Sequence, residues 1–437
     1  MANSTVFSNN PQELKTQIFG INSNTSKAVQ TNAAGNLLTD INSVDSSVGS
    51  MYDRLQISPY EQIFNVSPLY GISYLRDIIT TSGSATITNT GGGFTLTATA
   101  LANDTASIET AERGRFGIGN AFEVGLVIQI PTAPTTATQR AIWGISDNNN
   151  GMYFGQDSTG IFVASLRNGS ETKVYQSNWN IDKMDGSGLS GYTLNTNVGC
   201  MYQIRYGYNY GIIEYRIIII DPVTFAQLVV VCHRQANSSG ILVGDPNQPV
   251  HAHIEIGATA PALSFVMNLR GRYYASLGNP NPVKRLTSER RLNLSTSTTF
   301  KPTVSFQRLA TFPTGSGKNN SLNVLIDSFD IVTDRDIVWQ IRLNSTLTGA
   351  SFGAPIYTLS TETCVQSDVS ATAINISTGI LLMEGLATGG NDTTVLTALT
   401  SVPVNIVMPS TQIITLCIRT FSNTGIVNAV LRVCENW

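Results

Sequence analysis

The chain has 437 residues, a formal net charge of −3, and only 13% Asp, Glu, Lys and Arg, about half the share usual for a soluble protein. No Lys/Arg run stands out, and the slightly acidic balance leaves no electrostatic footprint for DNA, RNA or an anionic membrane surface. The length exceeds what one ordinary core fills, so two or three domains are expected.

Ser, Thr, Asn and Gly take the place of the missing charges, which makes the surface one of hydroxyls and amides. Such a surface is cheap to desolvate, as in proteins that tile against copies of themselves. The start, Met1-Ala2-Asn3-Ser4-Thr5, has neither a basic nor an apolar signal region, so synthesis in the cytoplasm without a signal peptide is expected. The most apolar window, Ile212 to Cys232, contains Glu214, Arg216, Asp221 and Pro222 and reads as two buried strands rather than a membrane span. Five dispersed cysteines without CxxC spacing read as reduced thiols. If Ser422–Gly425 turns a hairpin, Cys417 and Cys434 are about 13 Å apart, beyond disulfide reach.

In chain order, residues 1–65 form a polar piece with short alternating stretches at Leu14–Gly20, Ala28–Thr31 and Leu37–Ile41. These have too little apolar area to fold alone and need a partner, the rest of the chain or a second copy. From residue 66 the two-residue alternation becomes dense. Ala141 to Phe154, broken by Asp147-Asn148-Asn149-Asn150-Gly151, reads as a hairpin, because Asn and Gly tolerate the backbone its turn requires. Strands follow at Met201–Tyr208, Ile212–Ile220 and Val229–Arg234, giving a β-sandwich over 66–270. The Gly, Pro, Asn and basic residues of 271–294 read as a linker. About eight further strands over 295–437 make a second sandwich, beginning with Thr303–Leu309 and including Val369–Ile374. The expected fold is all-β, two antiparallel sandwiches after a short N-terminal strand segment for oligomerisation or anchoring. No βαβ unit or glycine-rich strand-to-helix turn is present, which excludes Rossmann and P-loop chemistry.

The residues Ile108–Phe116, Trp143 to Phe154, Val174–Gly188, Ser190–Leu194 and Cys232-His233-Arg234 resemble a domain of structural proteins from marine tailed bacteriophages and large DNA viruses. Val338–Ser351 and Ser367–Thr372 resemble the segment that follows it in those proteins, and Thr31–Asp40 is similar to short β modules of phage fibres. The resemblance covers roughly residues 80–437. It implies a concanavalin-like jelly roll in a capsid, vertex, decoration, fibre or tail component located in the virion, with other virion proteins as partners. It carries over no catalytic residue.

Glycosidase chemistry on such a sandwich needs two carboxylates on one strand face. No Glu-x-Asp-x-x-Glu spacing occurs, and Glu109 and Glu112, beside Arg113 and Arg115, read as a salt-bridged edge. His251-x-His253 puts two imidazoles on one strand face but has no evident third ligand. Asp147–Gly151 is too short for a calcium loop and reads as a turn. No cofactor, metal or catalytic site is expected, and the chain is not read as an enzyme. Tyr202, Tyr206, Tyr208 and Tyr210 share one face if their strand continues, with core or subunit packing the first reading and glycan stacking the second. The expected function is thus a structural virion protein, a homo-oligomer with a trimer favoured, with a host-surface glycan as further partner. The alternatives are a carbohydrate-binding host-attachment adhesin and a bacterial surface or spore appendage subunit.

Overall fold

Alternation of apolar and polar residues decides which strands form two layers. In Thr105–Arg113, Ala106 and Ile108 are fully buried while Thr105, Ser107 and Glu109 point the other way. In Ala121–Gln129 nearly every residue is buried, the mark of a central strand. The computed structural model describes residues 19–22, 25–28, 60–116, 120–207, 212–221, 225–236, 242–278, 283–390, 397–409 and 411–437. Within them the chain is built of antiparallel strands, with two single 3-10 turns at Pro68–Tyr70 and Gln176–Asn178. No helix among the described residues is long and apolar enough to cross a membrane.

The chain divides into a unit Met1–Ile57 and a unit Ser58–Trp437. In the first, Phe19–Asn22 pairs antiparallel with Thr25–Ala28. The expected stretch at Leu37–Ile41 lies outside the described residues, as does most of Leu14–Gly20 and of Ala28–Thr31.

The second unit holds two sandwiches. In the first, a seven-stranded sheet faces an eight-stranded one in a jelly roll. Across the seven-stranded sheet the order is Ser170–Tyr175, Gly160–Arg167, Gly151–Asp157, Gln139–Ser146, Pro249–Ile256, Thr105–Arg113, Asp77–Ser82. The eight-stranded sheet is centred on Cys200–Gly207, Ala121–Gln129 and Phe265–Leu277, and Tyr60–Val66 pairs with the last of these. Between the sheets, Trp143 stacks on Phe154 at 6.4 Å and meets Tyr202 edge-on at 5.0 Å. The Tyr215 hydroxyl crosses the core to donate to the Ala164 carbonyl at 2.7 Å. All five cysteines are free and buried.

The second sandwich sets a four-stranded sheet, Lys284–Thr296, Gly425–Asn436, Asn323–Thr333 and Thr397–Val407, against a five-stranded one containing Lys301–Arg308, Ile413–Thr420 and Ile337–Leu343. Its core is a separate cluster that includes Phe306, Phe329, Trp339, Ile341 and Leu431.

Four expectations are corrected here. Residues 271–294 are not a linker: Phe265–Leu277 is a central strand of the first sandwich, and Lys284–Thr296 is an edge strand of the second. The N-terminal piece ends earlier than residue 65, because Tyr60–Val66 belongs to the eight-stranded sheet. Strands Ile413–Thr420 and Gly425–Asn436 do not form a hairpin but lie in different sheets. Val369–Ile374 is replaced by the shorter strands Val365–Asp368 and Ala373–Asn375.

The sandwiches meet along a polar seam. Asn323 accepts from the Arg113 amide at 3.0 Å and donates to the Arg113 carbonyl at 2.9 Å. Asn319 donates to Asp147 Oδ2 at 2.9 Å, and Leu75 packs on the core of the second sandwich. Behind the seam the Arg308 guanidinium is almost wholly buried, and burial, aided by the nearby Arg113 charge, lowers its pKa to about 9.

Candidate functional site

Residues directly opposite each other on paired antiparallel strands share a face. On the solvent side of the seven-stranded sheet the register therefore lays out rows. One row runs Ile78, Glu109, His251, Gly144, Tyr153, Ala164, Lys173; the next runs Thr80, Ser107, His253, Ile142, Gly155, Phe162, Tyr175. A third holds Thr105, Glu255, Arg140 and Asp157.

Part of this face is saturated with its own contacts. The Tyr153 hydroxyl donates to Glu171 at 2.7 Å, and Arg140 donates to the same carboxylate. Lys173 sits 2.9 Å from Asp157 and 4.1 Å above the Phe162 ring, and Tyr175 donates to Asp157 at 2.9 Å. Burial works against the Asp157 charge, but the bonds from Lys173 and Tyr175 hold its pKa below the ordinary value.

The rest of the face is open. A groove of about 760 Å³ runs over Ser107, Glu109, Ile142, His251, His253 and Glu255, and is closed at one end by Asp147 and by Ala310, Asn319 and Thr411 of the second sandwich. Gly144 keeps the floor low between His251 and Tyr153, since a Cβ there would meet the Met152 carbonyl at 2.4 Å. His251 Nδ1 pairs with Ser146 Oγ at 2.8 Å, and its ring lies 5.7 Å from that of His253. Burial, with some help from His253, pushes the His251 pKa down to about 3, so the ring is neutral at ordinary pH. Glu255 is held below its usual pKa by the hydrogen bond to His253 at 3.5 Å, against the effect of its burial. Burial raises the pKa of Glu109; Arg113 opposes this and Asp147 adds to it. Among the described residues no side chain or amide donates to the Glu109 carboxylate.

The arrangement offers hydroxyls, an imidazole and a carboxylate beside an apolar Ile142 surface, the mixture that lines ligand clefts. Glu109 and Glu255, its carboxylates on adjacent strands, are not placed as a catalytic pair. Glu109 and Glu255 project from adjacent strands four residues out of register, about 14 Å apart at their Cα atoms, against roughly 5–9.5 Å for carboxyl pairs that flank a glycosidic bond. Glu123 is on the opposite sheet, held by Arg205 at 3.0 Å and by the Tyr273 hydroxyl at 2.6 Å. Among the described residues no three His, Cys, Asp or Glu side chains converge as metal ligands.

The tyrosines proposed from sequence are not on this surface. Tyr202 and Tyr206 are 1% and 2% exposed and face the core, where Tyr206 meets Tyr274 and the Pro246 carbonyl, each at 3.1 Å. A ring packed between two sheets cannot stack on a sugar or on another subunit, so the glycan or subunit role read for these two is corrected; Tyr208 and Tyr210 lie outside the described residues. Of the cluster at 109–115, Glu112 pairs with Arg115 at 3.7 Å and Arg113 with Asp147 at 3.7 Å, while among the described residues Glu109 is in no ion pair. His251 and His253 share a face as expected, but that face is the groove.

One pH effect follows. The unfolded chain protonates His251 near 6.5 while the fold resists until about 3, so stability is complete above pH 6.5 and declines as pH falls toward 3. In thermal melts at pH 5, His251→Asn is expected to remove about 2 kcal/mol of the wild type's acid-induced loss. Parallel acid profiles for the two proteins would show that the ring titrates freely.

The sequence matches no protein-family model, and it matches no curated protein. Solved structures overlap the chain in part. A crystal structure of a protein of unknown function from Shewanella oneidensis MR-1 is 11% identical with a TM-score of 0.33, covering 52% of this chain and 92% of that one. Arcelin-5, a lectin-like defence protein from Phaseolus vulgaris, is 11% identical with a TM-score of 0.31, over 49% of this chain and 96% of its own. The CBM2 module of an evolved Dit protein from Lactobacillus casei BL23 phage J-1 is 9% identical with a TM-score of 0.31, over 50% and 96% respectively.

Proposed function

We propose that the chain is a structural component of a virus particle that also holds a glycan of the host surface in the groove on its first sandwich. The observation that carries the glycan half is the groove itself. Side chains from the adjacent strands Thr105–Arg113, Pro249–Ile256 and Gln139–Ser146 line it, and Ser107, Thr105 and Thr80 have no side-chain partner among the described residues. A polyhydroxylated ligand satisfies such groups without the large apolar surface that a protein partner needs. The virion half is supported by the sequence resemblance and the charge-poor composition.

A glycan array read with the whole chain tests the first half. Ser107→Tyr fills the groove from an outward-facing position and is expected to weaken the best array ligand at least tenfold with an unchanged melting temperature. Binding that survives this substitution places the ligand elsewhere. The bound glycan is expected to be recovered intact, because Glu109 and Glu255 stand four residues out of register on adjacent strands; released sugar that disappears in Glu109→Gln contradicts that. A mass-spectrometric inventory of purified particles tests the second half. Light scattering is expected to give a trimer that becomes a monomer when residues 1–57 are removed; a full-length monomer at micromolar concentration ends the trimer proposal.

A further inference from the structure

We propose that the saccharide held in the groove is amine-bearing, with its ammonium group seated on the Glu109 carboxylate. The inference rests on the glycan reading above and narrows it to one class of sugar.

The charges around the groove are already matched, with one exception. Arg140 is engaged by Glu171 and Tyr153. Arg113 lies 3.7 Å from Asp147, which also accepts from Asn319 and from the amides of Asn149 and Asn150. Glu255 has the His253 ring at 3.5 Å. Glu109 has no donor among the described residues, although it is half-buried on the groove floor between Ile78 and His251. The charged groups whose fields reach it, Arg113 and Asp147, are of opposite sign and spent on each other.

A half-buried carboxylate without a donor is costly, and an ammonium removes that cost because it brings both a positive charge and three N–H donors. An N-acetylated sugar brings one neutral amide N–H to the same place. An anionic sugar meets four carboxylates in the lining, Glu109, Asp147, Glu171 and Glu255, against two arginines, Arg140 held by Glu171 and Arg113 beside Asp147. Around the ammonium, Ser107 and Thr80 lie one row away on the same face, and His251 keeps Nε2 free of Ser146 to address ring hydroxyls.

The test is calorimetric titration of the full chain with a glucosamine tetramer and with its fully N-acetylated counterpart, in mildly acidic buffer where the amines are charged. The expected result is about tenfold tighter binding of the amine form. In Glu109→Gln, isosteric and checked by its melting curve, that preference disappears. Equal or tighter binding of the acetylated tetramer overturns the proposal, and so does a preference that persists in Glu109→Gln. Binding of a neutral or acidic array glycan with neither tetramer bound overturns the ammonium assignment but leaves the groove as a glycan site. No binding of any glycan removes both.

Discussion

Replacing Asp77 by alanine is expected to destabilise the first sandwich by about 3–5 kcal/mol. Asp77 opens the edge strand of the seven-stranded sheet and points inward, and Arg272 points inward from the central strand of the eight-stranded sheet; their side chains are 0% and 1% exposed. The pair links the two sheets beside the Phe94 ring, and Asp77 also accepts from the Ser73 amide at 2.9 Å and from Arg76 at 3.4 Å. Burial already lowers the Arg272 pKa to about 10, with Asp77 opposing that fall. Without Asp77 a guanidinium is left in the core with no counter-charge. The double variant Asp77→Leu/Arg272→Met is expected to recover most of the loss, because two apolar groups of similar volume replace the pair without stranding a charge. Chemical denaturation checks both, and a loss under ~1 kcal/mol for Asp77→Ala would mean that water reaches the guanidinium.

The second large effect lies in the other sandwich. Glu435 is 0% exposed and accepts from Thr287 Oγ1 at 2.5 Å, Thr363 Oγ1 at 2.7 Å and the Cys364 amide at 2.8 Å. Three elements distant in sequence thus share one carboxylate, which also helps to raise the Cys364 pKa beyond what burial does. Glu435→Leu strands three donors and is expected to cost about 3–5 kcal/mol, whereas Glu435→Gln keeps one acceptor and is expected to cost about half of that. Because the two cores are separate clusters, Asp77→Ala should move one unfolding transition and Glu435→Leu the other. A single transition shifted equally by both would show that the Asn323–Arg113 seam couples the sandwiches into one cooperative unit.

Most strands are legible in the sequence because their alternation is strong. The hairpin at 139–157 and the pair Cys200–Gly207 with Ile212–Ile220 follow directly from it. Lys284–Thr296 is not legible, since an edge strand with five charged residues and few buried positions looks like solvated loop. Phe265–Leu277 is masked by Arg270-Gly271-Arg272, where the register shifts between Leu269 and Gly271 to let one arginine turn inward. The groove is hidden for a different reason. Glu109, Gly144 and His251 become neighbours only through strand pairing across more than a hundred residues. Tyr202 and Tyr206 show the complementary gap: a period of two groups residues on one face but does not say which face is wet. The sign was in the intervening positions, where Gln203 and Arg205 share the opposite side with Glu123.

The order in which the sheets are filled has a consequence for how the protein is made. Phe265–Leu277 lies beside Ala121–Gln129 along its length and beside Gly93–Ala98 and Tyr60–Val66 in its two halves. Gly425–Asn436 lies between Lys284–Thr296 and Asn323–Thr333. Each sandwich therefore receives a middle strand last. While the ribosome is still adding residues before 265, the eight-stranded sheet exists as separated portions with bare edges, and only the arrival of that strand joins them. Closure of such long loops is slow, and the open edges can pair with the wrong neighbour meanwhile. Nascent chains crowded on one message are thus exposed to mispairing for most of the time it takes to translate each sandwich.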